Sequence, residues 1–297
     1  MLKLEGILTA LVTPLRSGMV DLDALRALVE RQIEAKVQGI VVAATTGEGS
    51  MLTREEQRLV VETAVKTARG RILVAAGCSH SSTWAVVEAA HAAADAGVDA
   101  VLVASPAYVR PGQDGIAAHY EAVADRTRVP IIAYNVPTRT GSDILPATLG
   151  RLAAHERIVG VKEATGSMLR VIQVIAAVKG RMAVLSGDDP ITVSLLVAGG
   201  QGVISTASNV APAKWAELWR RWVAGDHKGA AEAQAELTGL HEALFLETNP
   251  GPAKAALHLL GLVEPEIRMP LMWPQKATIS RLAAEMERLG FEPKRAS

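Results

Sequence analysis

Lys162 stands in the run Val161-Lys162-Glu163-Ala164-Thr165-Gly166, at the end of an apolar, β-branched stretch. A primary amine attacks a carbonyl carbon in its uncharged form, and burial in apolar surroundings favours that form. Period-2 alternation places Ile158, Gly160 and Lys162 on one face of a strand, and Val159, Val161 and Glu163 on the other. Gly160 then leaves room beneath the amine for a ligand or a neighbouring side chain. The plainer alternative is a strand-end lysine that reaches solvent along its apolar stem or pairs with Glu163.

Two of the three tyrosines, Tyr108 and Tyr134, also follow short apolar runs. A phenol joined to a chain of hydroxyls can move protons, and Thr45 can supply a link. Equally, each ring can fill space while its hydroxyl bonds a backbone carbonyl. Thr45-Thr46-Gly47 offers hydroxyls and backbone N–H groups at a tight turn, a cradle suited to a carboxylate. An ordinary turn, relieved of strain by Gly47, has the same residues.

The elements that must hold these groups are legible as alternation. Apolar runs at 7–12, 39–44, 72–76, 100–104, 130–134, 158–162, 182–185 and 202–205 each precede an Ala-, Leu- and Glu-rich stretch, among them 22–37, 54–68, 83–96 and 168–178. Thr53 and Glu56 have capping-box spacing and fix one helix start. Eight such units predict an α/β chain folded as a (β/α)8 TIM barrel, whose strands are buried on both faces. A doubly wound open sheet is the competing architecture. Segments 228–246, 252–260 and 279–289 read as helices, so residues 1–225 are expected to form the catalytic barrel and 226–297 a C-terminal helical extension packed on it. In a barrel, chemistry gathers at the carboxyl ends of the strands, where Lys162, Tyr134, Tyr108 and the Thr pair would all lie.

Composition excludes several classes. The 297 residues carry 31 Lys and Arg against 31 Asp and Glu, without the basic excess of a nucleic-acid or anionic-membrane binder. Cys78 is the only cysteine, so no intrachain disulfide forms and a reducing, cytoplasmic setting is expected. Residues 7–12 are too short for a membrane span and lack the flanks of a signal peptide. The seven histidines are dispersed, and no metal site or metal-dependent aldolase is expected. Gly199-Gly200-Gln201-Gly202 precedes the eighth strand and reads as a bottom-face turn, Asp188-Asp189 as a helix N-cap, and Trp215, Trp219 and Trp222 as one packed helix face.

The runs Thr45-Thr46-Gly47-Glu48, Tyr134 through Gly141, Val161 through Gly166, and Ser186-Gly187-Asp188-Asp189 resemble those of the dihydrodipicolinate synthase family. That family lies within the pyruvate-dependent class I aldolase and N-acetylneuraminate lyase superfamily. The likeness covers essentially the whole chain, from Gly6 to the tail motif Asn249-Pro250-Gly251-Pro252-Ala253-Lys254.

The resemblance implies a cytoplasmic lyase of lysine and diaminopimelate biosynthesis, free of cofactors, that condenses pyruvate with L-aspartate 4-semialdehyde to 4-hydroxy-tetrahydrodipicolinate. It implies a homo-oligomer, a dimer or dimer of dimers. By the same resemblance Lys162 would form the Schiff base and Tyr134 would donate and accept protons. Thr45 would connect Tyr134 to Tyr108, which in this family reaches in from the neighbouring subunit. Thr46 would hold the pyruvate carboxylate, Ile204 would contact pyruvate through its backbone, and Gly187 would join them in binding substrate. Arg139 would take the carboxylate of the second substrate, a task suited to a guanidinium fork. The sialic acid lyase branch usually lacks that Arg-Thr-Gly run.

Ala44, Gly49, Ala107 and Gly251 depart from the family pattern, and together they bear on which aldehyde the pocket takes. Arg54, Gln57, Ser81 and Ala85 stand where the family's lysine-feedback site usually has His, Asn and Glu side chains, so lysine inhibition is expected to be weak or absent. The rival readings are a related aldolase or dehydratase acting on a 2-oxo sugar acid or a 4-hydroxy-2-oxo acid, and a non-catalytic ligand-binding relative.

Overall fold

A computed structural model describes residues 2–294. Eight parallel strands close into a barrel: β1 Gly6–Ala10, β2 Gly39–Val42, β3 Leu73–Gly77, β4 Ala100–Ala104, β5 Ile131–Asn135, β6 Ile158–Glu163, β7 Ala183–Ser186 and β8 Gly202–Ser205. Sequential strands are neighbours, and β1 pairs with both β2 and β8. The open-sheet alternative is thereby excluded. Each strand lies within two residues of its expected span.

Two apolar clusters explain the uniform hydrophobicity of the strands. The inner one fills the barrel with side chains such as Leu8, Val41, Leu102, Ile132, Leu185 and Ile204. The outer one packs alternate strand residues, among them Val103, Ala133, Val161 and Val203, under the ring of helices. Helices Arg54–Ala68, Thr83–Ala96 and Met168–Val178 occupy their expected spans. Thr53 and Glu56 form the capping box. The helix expected over 22–37 ends earlier, at Glu34, and Lys36 follows with φ 64°. In the helix Pro212–Val223, Trp215 is buried, while Trp219 and Trp222 pack against the core.

Two features depart from the sequence reading, and one alternative it left open is resolved. A register shift between Ile131 and Ile132 on β5 displaces the start of β6. Ile158 consequently joins the outer cluster and Val159 packs with the inner one, so the expected face assignment fails at these two residues and holds from Gly160 onward. Of the two occupants allowed for the space beside Gly160, the structure has the neighbouring side chain: Leu4 fills it, and a Cβ at residue 160 would collide with the Leu4 side chain. A two-stranded hairpin, Leu15–Arg16 with Met19–Val20, follows β1 and was not expected.

Beyond Val223 come the helices His227–Leu244, Gly251–Leu259 and Lys276–Arg288. The expected boundaries 1 and 297 lie outside the described residues. Among the described residues, no helix is long and apolar enough to cross a membrane.

Candidate active site

Strands β5 and β6 bring the two central groups together. Tyr134 and Lys162 are direct register partners, both point into the barrel, and Lys162 Nζ lies 4.5 Å from the Tyr134 ring centroid. Lys162 is 5% exposed and Tyr134 6%, which excludes a lysine that snorkels to solvent. Nor does Lys162 pair with Glu163. That carboxylate faces outward and accepts from Asn135 Nδ2 at 3.0 Å and from the Thr165 backbone N–H at 2.8 Å. Around the amine the inner wall is apolar, formed by Val136, Leu185 and Ile204 among others.

Gly187 follows β7 and donates its backbone N–H to the Glu163 carbonyl at 2.6 Å. A Cβ there would lie 2.6 Å from Ala164 Cβ and 3.1 Å from Lys162 Cε. Only a hydrogen lets the lysine stem run past. Ile204 sits within β8, 1% exposed, in register with Leu8 of β1.

The Thr pair lies in the loop after β2, which leaves the strand through Ala43 at φ 51°. Thr46 is buried and accepts from Asn249 Nδ2 at 2.9 Å. Thr45 is half-buried. Glu48, two residues on, forms a fully buried ion pair with Lys254 at 2.6 Å and accepts from the Arg268 N–H at 2.7 Å. Burial pulls the Lys254 ammonium below its ordinary pKa, with Glu48 opposing. The tail thus staples the loop that carries the Thr pair.

Arg139 lies on the short helix Pro137–Thr140, exposed at the mouth, and donates through Nη2 to the Asn249 carbonyl at 3.4 Å. Asn249 therefore touches both Thr46 and Arg139, and its Oδ1 is buried without a partner. The sequence reading assigned roles to neither Asn249, Glu48 nor Lys254. The tail motif 249–254 was the available signal.

Tyr108 is not brought to the pocket within its own chain. It is 91% exposed at φ 70°, anchored by its N–H to the Thr140 carbonyl at 3.1 Å. A hydroxyl relay from Tyr134 through Thr45 to Tyr108 is accordingly not closed inside one chain.

Other expectations resolve locally. Asp188 occupies a cap position without a capping bond. Asp189 instead caps the next loop, accepting from the Thr206 and Ala207 N–H groups at 3.1 and 2.9 Å. Burial raises the Asp188 carboxyl, with the His241 ring nearby opposing. Gln201 in the glycine turn bonds the β7 backbone at Val184 and accepts from Gly6 through its carbonyl, tying the barrel bottom. Burial pushes the Cys78 thiol up to about 12, which disfavours a reactive thiolate. Among the described residues, no group of three or more His, Cys, Asp and Glu side chains is placed to hold a metal ion.

At the expected regulatory positions the polar groups already have partners. Arg54 pairs with Glu88 at 3.2 Å, Gln57 Nε2 donates to the Gly49 carbonyl at 2.5 Å, and Ser81 Oγ donates to the Ala107 carbonyl at 2.8 Å.

A closed parallel barrel with a buried lysine facing a tyrosine at its carboxyl end is the architecture of the imine-forming, class I aldolase type. Residues 3–288 match the Dihydrodipicolinate synthetase family, and the chain belongs to it. It is 44% identical over 293 residues to a 4-hydroxy-tetrahydrodipicolinate synthase of Anaeromyxobacter dehalogenans, covering 98% of this chain and 99% of that one. Among solved structures it resembles the chloride-inhibited dihydrodipicolinate synthase of Acinetobacter baumannii complexed with pyruvate (TM-score 0.95, 39% identity, 97% and 99% of the two chains). It also resembles a monomeric dihydrodipicolinate synthase variant (TM-score 0.95, 38% identity, 96% and 97%).

Proposed function

We propose that this chain condenses pyruvate with L-aspartate 4-semialdehyde to give 4-hydroxy-tetrahydrodipicolinate, with Lys162 as the imine-forming amine. The observation that carries the reading is Lys162 Nζ held inside the barrel, 4.5 Å from the Tyr134 ring. The amine attacks the pyruvate ketone carbon, and the ketone oxygen leaves as water. The protonated imine then withdraws electrons, so a methyl proton leaves and an enamine forms. Its carbon attacks the aldehyde carbon of the semialdehyde, whose oxygen takes a proton. The adduct's own amine finally displaces Lys162 and closes the ring, returning the free lysine.

Tyr134 serves as the proton donor and acceptor, with Thr45 and a Tyr108 from a second copy completing the path. Thr46, held by Asn249, binds the pyruvate carboxylate, beside the Gly187 and Ile204 backbone. Arg139 at the mouth binds the acceptor's carboxylate. The exposure of Tyr108 supports a homo-oligomer, a dimer or dimer of dimers, and Cys78 as the only cysteine of the sequence supports a cytoplasmic setting. We read the helices beyond residue 225 as an extension of the same structural unit, since the tail is bonded to the β2 loop through Asn249 and Lys254.

Borohydride reduction with pyruvate, peptide mapping and an aldehyde screen test this. A reduced adduct on Lys162 and turnover of the semialdehyde are expected. Labelling elsewhere removes the nucleophile, and turnover of a different aldehyde alone replaces the second substrate.

A further inference from the structure

The residues that follow Tyr134 and Lys162 are themselves paired, on the opposite face of the same two strands. Asn135 and Glu163 are register partners, 0% and 1% exposed. Asn135 Nδ2 donates to Glu163 Oε2 and to Asp143 Oδ1, each at 3.0 Å, and Asn135 Oδ1 accepts from the Ile144 N–H at 2.9 Å. Glu163 Oε1 accepts from the Thr165 N–H at 2.8 Å. Asp143 is gripped by both arms of Arg170, at 2.7 and 2.9 Å. That guanidinium holds the Asp143 carboxyl below its usual range.

Both amide hydrogens of Asn135 and both oxygens of Glu163 are used. A fully satisfied buried network has one low-energy arrangement, and a half-satisfied one is costly. This one joins β5 to β6 and ties in the loops that leave both strands. We propose that Asn135 and Glu163 are positioning residues for imine formation, fixing the Tyr134 ring and the Lys162 amine at their reacting separation from the outer face of the barrel. The proposal rests on the functional reading above. Neither residue touches substrate; each acts through its strand neighbour. Reacting groups displaced by about 1 Å can lose roughly a hundredfold in rate, so a small loosening of this pair is readable.

Glu163→Gln is the direct test, because one amide oxygen must replace two acceptors that serve two separate N–H groups. The measurement is single-turnover imine formation with pyruvate, quenched by borohydride, alongside steady-state kinetics and thermal melting. Imine formation and kcat are expected to fall together by roughly 10- to 100-fold, with KM for pyruvate held within about threefold. In a Tyr134→Phe background the same change should cost clearly less than in the parent, since the hydroxyl is gone and only the Lys162 amine is left to be aimed. Arg170→Lys, at the outer end of the network, guards against a misfolded Glu163 variant and should slow the imine step in the same direction by a smaller factor.

A folded Glu163→Gln protein that forms the imine at the unmodified rate overturns the proposal. So does a cost that adds in full to that of Tyr134→Phe. If the unmodified chain traps no pyruvate, the functional reading itself fails, and the proposal with it.

Discussion

Lys162 Nζ sits 4.5 Å from the Tyr134 ring centroid because residues 134 and 162 are register partners on adjacent parallel strands. The long lysine stem is flexible by itself. Here it is confined by the Tyr134 ring on one side and by the Gly187 backbone on the other, where a Cβ would stand 3.1 Å from Lys162 Cε. The pair therefore inherits its geometry from the sheet, which costs little entropy at the moment of reaction.

Tyr134→Phe keeps the ring against the amine and deletes only the hydroxyl. The kcat is expected to fall by roughly 10²- to 10⁴-fold, the range typical of a lost proton-transfer group, with the melting temperature nearly unchanged. Steady-state assays decide the matter. A variant within twofold of the parent would reduce Tyr134 to a space-filling wall.

Gly187→Ala places a methyl group 2.6 Å from Ala164 Cβ, closer than carbon atoms approach. The loop after β7 must move, or Lys162 must. Overpacking of this kind costs about 1–3 kcal/mol, and the displaced stem should slow borohydride-trappable imine formation at least about tenfold. Unchanged trapping kinetics would show that the lysine has slack.

Much of this frame was written locally in the sequence. Barrel strands buried on both faces read as unbroken apolar runs, so all eight were legible, as was the inward face shared by Gly160 and Lys162. What escaped was long-range. The displaced start of β6 depends on register with β5, which no single run encodes, and it moved Ile158 and Val159 to the wrong faces. Which occupant takes the space beside Gly160 stayed open for the same reason, because Leu4 lies far from it in the chain. Thr46 with Asn249 and Glu48 with Lys254 are each more than 200 residues apart, at sequence separations of 203 and 206. The hairpin after β1 uses two-residue strands, too short to show a period. The exposure of Tyr108 required the fold itself.

That exposure makes a complementation experiment informative. Lys162→Ala and Tyr108→Phe chains are each expected to be nearly inactive. If Tyr108 serves its neighbour, a fully exchanged dimer mixture regains about a quarter of the parental sites, because half the dimers are mixed and each holds one intact pair. Activity is measured before and after subunit exchange. A Tyr108→Phe chain that is active by itself would place Tyr108 outside the reaction, and inactive chains that show no recovery on exchange would count against its service to the neighbour.

Lysine should act weakly, if at all, as a feedback inhibitor. Arg54 is paired with Glu88, while Gln57 and Ser81 donate to backbone carbonyls of the Gly49 and Ala107 segments. A ligand must displace those bonds to bind there. An inhibition constant weaker than about 1 mM, or about 4 kcal/mol of binding, is expected. Strong inhibition in a lysine titration well below that concentration would contradict the assignment.

His119 should make the fold acid-sensitive. Its ring is buried at 4% exposure, with Nδ1 bonded to Thr83 Oγ1 at 2.9 Å and Nε2 without a partner. Burial lowers its pKa from 6.5 to about 4. Between those values the unfolded chain binds a proton that the folded chain refuses, so stability falls as pH falls. The contribution is whole above the unfolded value and is lost progressively down to about pH 4, roughly 3 kcal/mol across the window. His119→Asn removes the titration. The drop in urea midpoint between about pH 7.5 and pH 4 should therefore be smaller in the variant than in the parent. Equal drops would mean that other groups, such as the Arg170-bound Asp143 carboxylate, dominate the acid limb.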